Sequence, residues 1–185
     1  MDLDIPGKRA IVVGASQGVG RVIATQLADE GALVTAIARR ADVLQKLVDE
    51  MGGETAGHSS PAADLMHLGE PTRVARSLLD AGSVDIVVHC VGGTLDDYVK
   101  VLGRQVAPDG VVVAAIQPGA YNAPGGRWDE VKRDRPEMYA DFIRHHQAIG
   151  RVGVPEEIAP LAVFLSSQQA SFCAGSLMQI DGGTM

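Results

Sequence analysis

The strongest chemical signal in this 185-residue chain is Gly14-Ala15-Ser16-Gln17-Gly18-Val19-Gly20, set directly after the apolar run Ala10-Ile11-Val12-Val13. A buried strand that ends in a glycine turn lets backbone approach a pyrophosphate closely. A helix opening behind that turn aims its free N–H groups and positive dipole end at the phosphates. Val19, Ile23 and Leu27 recur at helical spacing and Gly31 ends the pattern, so strand, turn and helix stand in the order that nucleotide binding needs. The spacing is G-x-x-x-G-x-G in place of the commoner G-x-G-x-x-G; without its context it would read as an ordinary strand-to-helix turn. Gly14, Ser16, Gln17, Gly18, Val19 and Gly20 are the expected contacts.

Which dinucleotide fits is decided at the end of the second strand, where the adenosine ribose lands. NAD binders place an acidic residue roughly 20 positions past the first glycine, to accept hydrogen bonds from the ribose 2′-OH. This chain has Ala38 there, followed by Arg39 and Arg40. A carboxylate would repel a 2′-phosphate, whereas a guanidinium pairs with it through two hydrogen bonds, so NADP(H) is expected over NAD(H), with Arg39 expected to carry the preference. The competing reading leaves both arginines in solvent at the start of the next helix. Asp64 and Leu65 close the third strand region, where a carboxylate can accept from an adenine amino group. His89-Cys90-Val91-Gly92-Gly93 closes the fourth, at the carboxyl edge where open α/β sheets bind ligands, and adds His89, Val91 and Gly92 to the expected contacts.

These residues need a parallel sheet behind them, and the pattern supplies one. Short apolar runs at 11–13, 33–38, 85–89, 111–116 and 177–180 alternate with amphipathic stretches, and a short polar strand is expected within 54–59. Val43, Leu44, Leu47, Val48 and Met51 make one helical face; Val74, Ala75, Leu78 and Leu79 make another that begins at Pro71. Pro155, then Glu156 and Glu157, open a further helix with Ile158, Leu161, Ala162 and Leu165 on its buried face. The expected fold is α/β, a doubly wound Rossmann-type parallel sheet flanked by helices, in a single domain over 1–185.

Composition narrows the partners. Asp and Glu outnumber Lys and Arg by 23 to 16, a net charge of -7, which argues against nucleic acid. Two cysteines make no disulfide framework, and neither a leader pattern nor a run of roughly 18 apolar residues stands out, so a cytoplasmic chain away from membranes is expected. His58, His67, His145 and His146 lack metal-ligand spacing, and no metal is expected.

With these motifs together the chain resembles the short-chain dehydrogenase/reductase family along nearly its whole length. Residues 14–20 are similar to the family's T-G-x-x-x-G-[IV]-G, with Val13 in place of threonine. His89-Cys90-Val91-Gly92 stands where the family has N-N-A-G, with His89 replacing an asparagine, and Pro118-Gly119 stands at the P-G motif that touches the nicotinamide carboxamide. The tail is the most specific part. Gly150 to Ala159 follows R-x-G-x-P-x-E-[IV]-A, and Phe164-Leu165, Gly175 and Asp181-Gly182-Gly183 follow in the family's order. The resemblance implies hydride transfer between a nicotinamide cofactor and a small alcohol or carbonyl substrate, with 121–147 as a lid.

The family's catalytic serine and Y-x-x-x-K pair have no counterpart. No serine lies between Ser83 and Ser166, and the stretch from Gly93 to Pro118 is short of roughly two 30-residue αβ steps. Tyr98 and Lys100 are the weak catalytic candidates, but two helical positions put them about 200° apart around the axis. Two readings follow: an oxidoreductase of this family, or a catalytically impaired nucleotide-binding chain or incomplete form of a longer enzyme. The shortened sheet is expected to hold about six strands, one fewer than the family pattern, with 111–116 beside 85–89. A monomer, or a homodimer through the C-terminal strand, is expected.

Overall fold

The computed structural model describes residues 3–90 and 96–184, and side chains within the second stretch from Val99 onward. The chain divides into two compact units, Met1–Gly92 and Gly93–Met185. In the first, β1 (Arg9–Val13), α1 (Gly18–Asp29), β2 (Leu33–Ile37), α2 (Ala41–Glu50), α3 (Glu70–Asp80) and β3 (Ile86–His89) follow in order. The strands form a parallel sheet, β2-β1-β3, with Val13 level with both Ile37 and His89.

β1 is central because it can be covered on both faces: Ala10, Ile11, Val12 and Val13 are all buried. Alternation along the strand sends Ile11 and Val13 into a cluster with Ile37, Ala63 and Val74, packed by Leu65, Leu78 and Val84. Leu44, Leu47 and Val48, spaced i, i+3, i+4, form the buried stripe of α2. α1 stops at Gly31, whose φ of +85° suits a helix end, and the Ala32 N–H turns back to the Leu27 carbonyl at 2.9 Å.

The third strand departs from expectation. Glu54–Ala56 is a single 3-10 turn, and pairing with β2 comes later, as isolated bridges Thr35↔Ser59 and Ala38↔Ala62. Pro61 has no N–H to donate, which interrupts the ladder, and the buried His58 Nδ1 accepts the Val34 N–H at 3.1 Å in place of a carbonyl.

The second unit holds α4 (Asp96–Val106), β4 (Ala115–Pro118), α5 (Arg127–Asp134), α6 (Pro136–His146), α7 (Pro155–Leu165) and β5 (Leu177–Ile180). β4 and β5 pair in parallel, from Ala115↔Leu177 to Pro118↔Ile180. The parallel α/β class holds in both units. The described strands make one ladder of three in the first unit and one of two in the second. The expected strand at 111–116 enters its ladder only at Ala115. Its backbone partner is the C-terminal segment, for Gly175 donates to the Val113 carbonyl at 2.7 Å and Ala115 to the Ser176 carbonyl at 2.9 Å. Gly103 of α4 makes this approach possible, since a Cβ there would meet the Gly175 nitrogen at 2.5 Å.

Candidate functional site

The loop after β1 is built as a cradle. Gly14 has φ +85° and donates its N–H to the Ile37 carbonyl at 2.8 Å, which ties the loop to the end of β2. A Cβ on Gly20 would lie 2.5 Å from the Gly14 carbonyl oxygen and 3.1 Å from the Cys90 Cβ, so only glycine lets the first turn of α1 come this close to the loop. Gln17 is the N-cap of α1, but its side chain makes no capping bond. The first N–H groups of the helix are therefore left for an acceptor from outside, which is how a pyrophosphate would fit. Cys90 lies behind the loop; burial pushes its thiol up to about 11, and it serves as a small neutral filler.

At the end of β2 the two arginines behave differently. Arg40 Nη2 donates to Gln17 Oε1 at 2.7 Å and to Ser16 Oγ at 3.3 Å, while Arg39, exposed like Arg40, makes no side-chain hydrogen bond among the described residues. Asp64 accepts the Met66 N–H at 3.1 Å and lies 3.8 Å from His67, so one oxygen is already used in its own turn. Leu65 packs on the core cluster, which leaves its backbone as what it can offer a ligand. His89 is the exposed last residue of β3. Val91 and Gly92 lie outside the described residues, as does the side chain of Tyr98; Lys100 is exposed on α4.

In the second unit Pro118 ends β4, and Gly119 donates to the Ile180 carbonyl at 3.1 Å. A Cβ on Gly119 would stand 2.5 Å from the Asp181 Cβ. The P-G and D-G-G motifs are thus two sides of one contact, which residues 62 positions apart in sequence do not announce. Arg151 holds both oxygens of Glu157, at 2.8 and 2.6 Å, and Glu157 accepts the Val154 N–H at 3.0 Å to cap α7. The Arg151 hydrogen bond, helped by that backbone N–H, lowers the Glu157 carboxyl to about 2. Gly153, inside the same motif, donates to the Ala120 carbonyl at 2.9 Å and accepts from the Asn122 N–H at 2.8 Å. The tail motif is therefore the scaffold of the loop after β4. Within that loop the Asn122 side-chain oxygen is buried with no hydrogen-bond partner among the described residues, an acceptor that the sequence did not single out.

The stretch expected as a lid is a helical hairpin. Trp128 lies 4.2 Å from Phe142 and 6.2 Å from Tyr139 between ring centres, and neither α5 nor α6 has a buried residue. Among the described residues no group of three His, Cys, Asp or Glu side chains could hold a metal, and no helix is long and apolar enough to cross a membrane.

The family described as short chain dehydrogenase matches residues 8–99, and that described as Enoyl-(Acyl carrier protein) reductase matches residues 93–185. The chain is 24% identical to 3-oxoacyl-[acyl-carrier-protein] reductase FabG of Pseudomonas aeruginosa over 249 aligned positions, spanning 98% of both proteins. It is 25% identical to L-xylulose reductase of Bos taurus over 246 positions, spanning 99% of this chain and 98% of that one. Alignments of this length against 185 residues leave many positions of the relatives with nothing opposite them. L-Sorbose reductase from Gluconobacter frateurii, solved with NADPH and L-sorbose, superposes with a TM-score of 0.86 at 23% identity, covering 100% of this chain and 98% of that one. A 3-oxoacyl (acyl-carrier-protein) reductase from Agrobacterium tumefaciens, solved with NADP, gives 0.85 at 20% identity, covering 97% and 95%.

Proposed function

Because the chain belongs to the short-chain dehydrogenase/reductase family, we propose that it is an oxidoreductase using NADP(H) on a small alcohol or carbonyl substrate. The observation that carries the proposal is the 14–20 cradle, whose Gly14–Gly20 approach leaves the start of α1 open to a phosphate. When bound, the nicotinamide supplies or accepts the hydride. The chain's own residues hold it: the backbone of Gly14, Ser16, Gln17, Gly18, Val19 and Gly20 at the pyrophosphate, Arg39 and Arg40 at the 2′-phosphate, and Asp64 and Leu65 at the adenine. His89, Val91, Gly92, Pro118 and Gly119 are assigned to the nicotinamide end. Residues 1–185 serve on this reading as one dinucleotide-binding domain.

Two observations support the phosphorylated cofactor: no carboxylate stands at position 38, and both solved relatives named above carry NADPH or NADP. The names of the relatives support an oxidoreductase over a nucleotide-binding chain without chemistry. The family's serine and Y-x-x-x-K are absent, so proton transfer at the substrate oxygen has no dedicated group and turnover is expected to be slow. We place the chain in the cytoplasm, as a monomer or a homodimer through the 177–180 strand. Titration of the purified chain with NADPH and NADH tests the proposal. NADPH is expected to bind more tightly, and Ala38→Asp to reverse the order by setting a carboxylate at the ribose. Equal affinity for the two cofactors would remove the argument from position 38, and binding of neither would end the proposal.

A further inference from the structure

Neither a glycine turn nor a helix N-terminus accounts for where Arg40 sits. The loop and the end of β2 are tied through backbone, since the N–H groups of Gly14 and Ala15 both reach the Ile37 carbonyl, at 2.8 and 3.3 Å. Arg40 bridges the gap between them with one terminal nitrogen, Nη2, on Gln17 Oε1 and Ser16 Oγ. A guanidinium carries five N–H donors in a planar fork. Among the described residues it is held by that one nitrogen, which leaves Nε and Nη1 for an anion. The side chain of Gln17 is spent on this contact and not on capping α1. An amide is suited to the task because it accepts from Arg40 without cancelling its charge; a carboxylate in its place would form an ion pair and repel a phosphate.

We infer that Gln17 is a positioning residue for cofactor choice, fixing the Arg40 guanidinium beside the glycine loop so that Arg40, more than Arg39, reads the 2′-phosphate of the adenosine ribose. The inference rests on the NADP(H) reading above and assigns its discrimination to one pair. A long flexible side chain that is already ordered loses less freedom on binding, so the contact raises affinity for the phosphorylated cofactor and leaves NADH untouched.

The test is the ratio of NADPH to NADH affinity, measured by fluorescence titration on the 185-residue chain and five variants: Arg39→Ala, Arg40→Ala, Gln17→Ala, Gln17→Glu and the double variant Gln17→Ala with Arg40→Ala. Arg40→Ala is expected to lower the ratio about tenfold or more, and Arg39→Ala less than about threefold. Gln17→Ala is expected to lower it about three- to tenfold, and Gln17→Glu by more than about tenfold, each through NADPH alone. Unchanged NADH affinity separates positioning from collapse of the loop, which would weaken both cofactors together. In the Arg40→Ala background Gln17→Ala should add nothing, because the group it positions is gone. An undiminished effect of Gln17→Ala in that background, or a ratio governed by Arg39, overturns the inference while the NADP(H) reading stands. Failure to bind either cofactor overturns both.

Discussion

The two units differ most in what they bury. The largest fully buried side chains among the described residues, Ile5, Val12, Leu27, Val34, Ile37, Leu44, Leu47 and Val48, all belong to the first. In the second, β4 and β5 have no buried residue, α5 and α6 have none, and α7 supplies half of the buried apolar residues described there, through Ile158, Ala159, Ala162 and Val163. Parallel strands are ordinarily covered on both faces by the helices of their own crossovers. A parallel pair with no fully buried residue is what remains when crossover helices are missing from the chain. The shortfall falls in the second unit and spares the first, which holds the 14–20 loop of the proposed cofactor site.

That contrast predicts binding without efficient turnover, and this is its largest consequence. A positioned general acid or base is worth roughly 10²–10⁴ in rate. NADPH oxidation with a panel of ketones and quinones should fall below that of full-length relatives by at least that factor, while NADPH still binds. Tyr98→Phe should change almost nothing. Fast oxidation abolished by Tyr98→Phe would mean that the short α4 has rebuilt a proton donor, and the contrast between the units would fail at its functional end.

A second break point is stability. Leu27→Ala removes a fully buried side chain from the first unit and should cost about 2–5 kcal/mol in urea unfolding. Leu177→Ala, on the partly buried β5, should cost less, about 1–2 kcal/mol, since part of the lost surface was already wet. Amide exchange should follow the same order, slower in β1 than in β4. Equal costs would show that the second unit packs as tightly as the first.

Glycine vacancies sharpen the comparison. Gly20→Ala puts a Cβ 2.5 Å from the Gly14 carbonyl, and Gly119→Ala puts one 2.5 Å from the Asp181 Cβ and 2.6 Å from its Cα. The first should weaken NADPH binding by about tenfold or more, because the loop must open to admit the methyl. The second should lower stability through the P-G and D-G-G contact. Thermal melts with and without NADPH separate the two effects, and a Gly20→Ala chain that binds normally would refute the cradle.

What could be read from the sequence divides along the same line. The 14–20 loop, the core face of α2 and the prolines that open α3 and α7 follow from local rules of spacing and dihedral angle, and the structure has them. Three features were hidden because they depend on distant partners. Residues 111–114 have the valines of a strand, yet the ladder waits until Ala115, where β5 is in register. The third strand is displaced by Pro61 and by an imidazole standing in for a carbonyl. Of the adjacent arginines at 39 and 40 the sequence expectation falls on Arg39, and only the fold brings Arg40 to Gln17 and Ser16.

The smallest expected effect tests how the second unit is held. Glu157 is ionised and paired with Arg151 in the folded chain, where its carboxyl is lowered from 4.5 to about 2, first by the Arg151 hydrogen bond and then by the Val154 N–H. A depressed carboxylate contributes stability that is fully present above the unfolded value of 4.5 and is lost as pH falls through the folded value of about 2. Arg151 stays charged throughout, so the change belongs to the carboxylate. The pair is exposed to solvent, which screens it and keeps the contribution small. Unfolding followed from pH 7 down to pH 2 should therefore show a stability gap between the unaltered chain and Glu157→Gln that is constant above about pH 5 and narrows below it. Salt should shrink the same gap at neutral pH. A gap that ignores both pH and salt would mean that Glu157 acts only as the cap of α7, with Arg151 an idle neighbour.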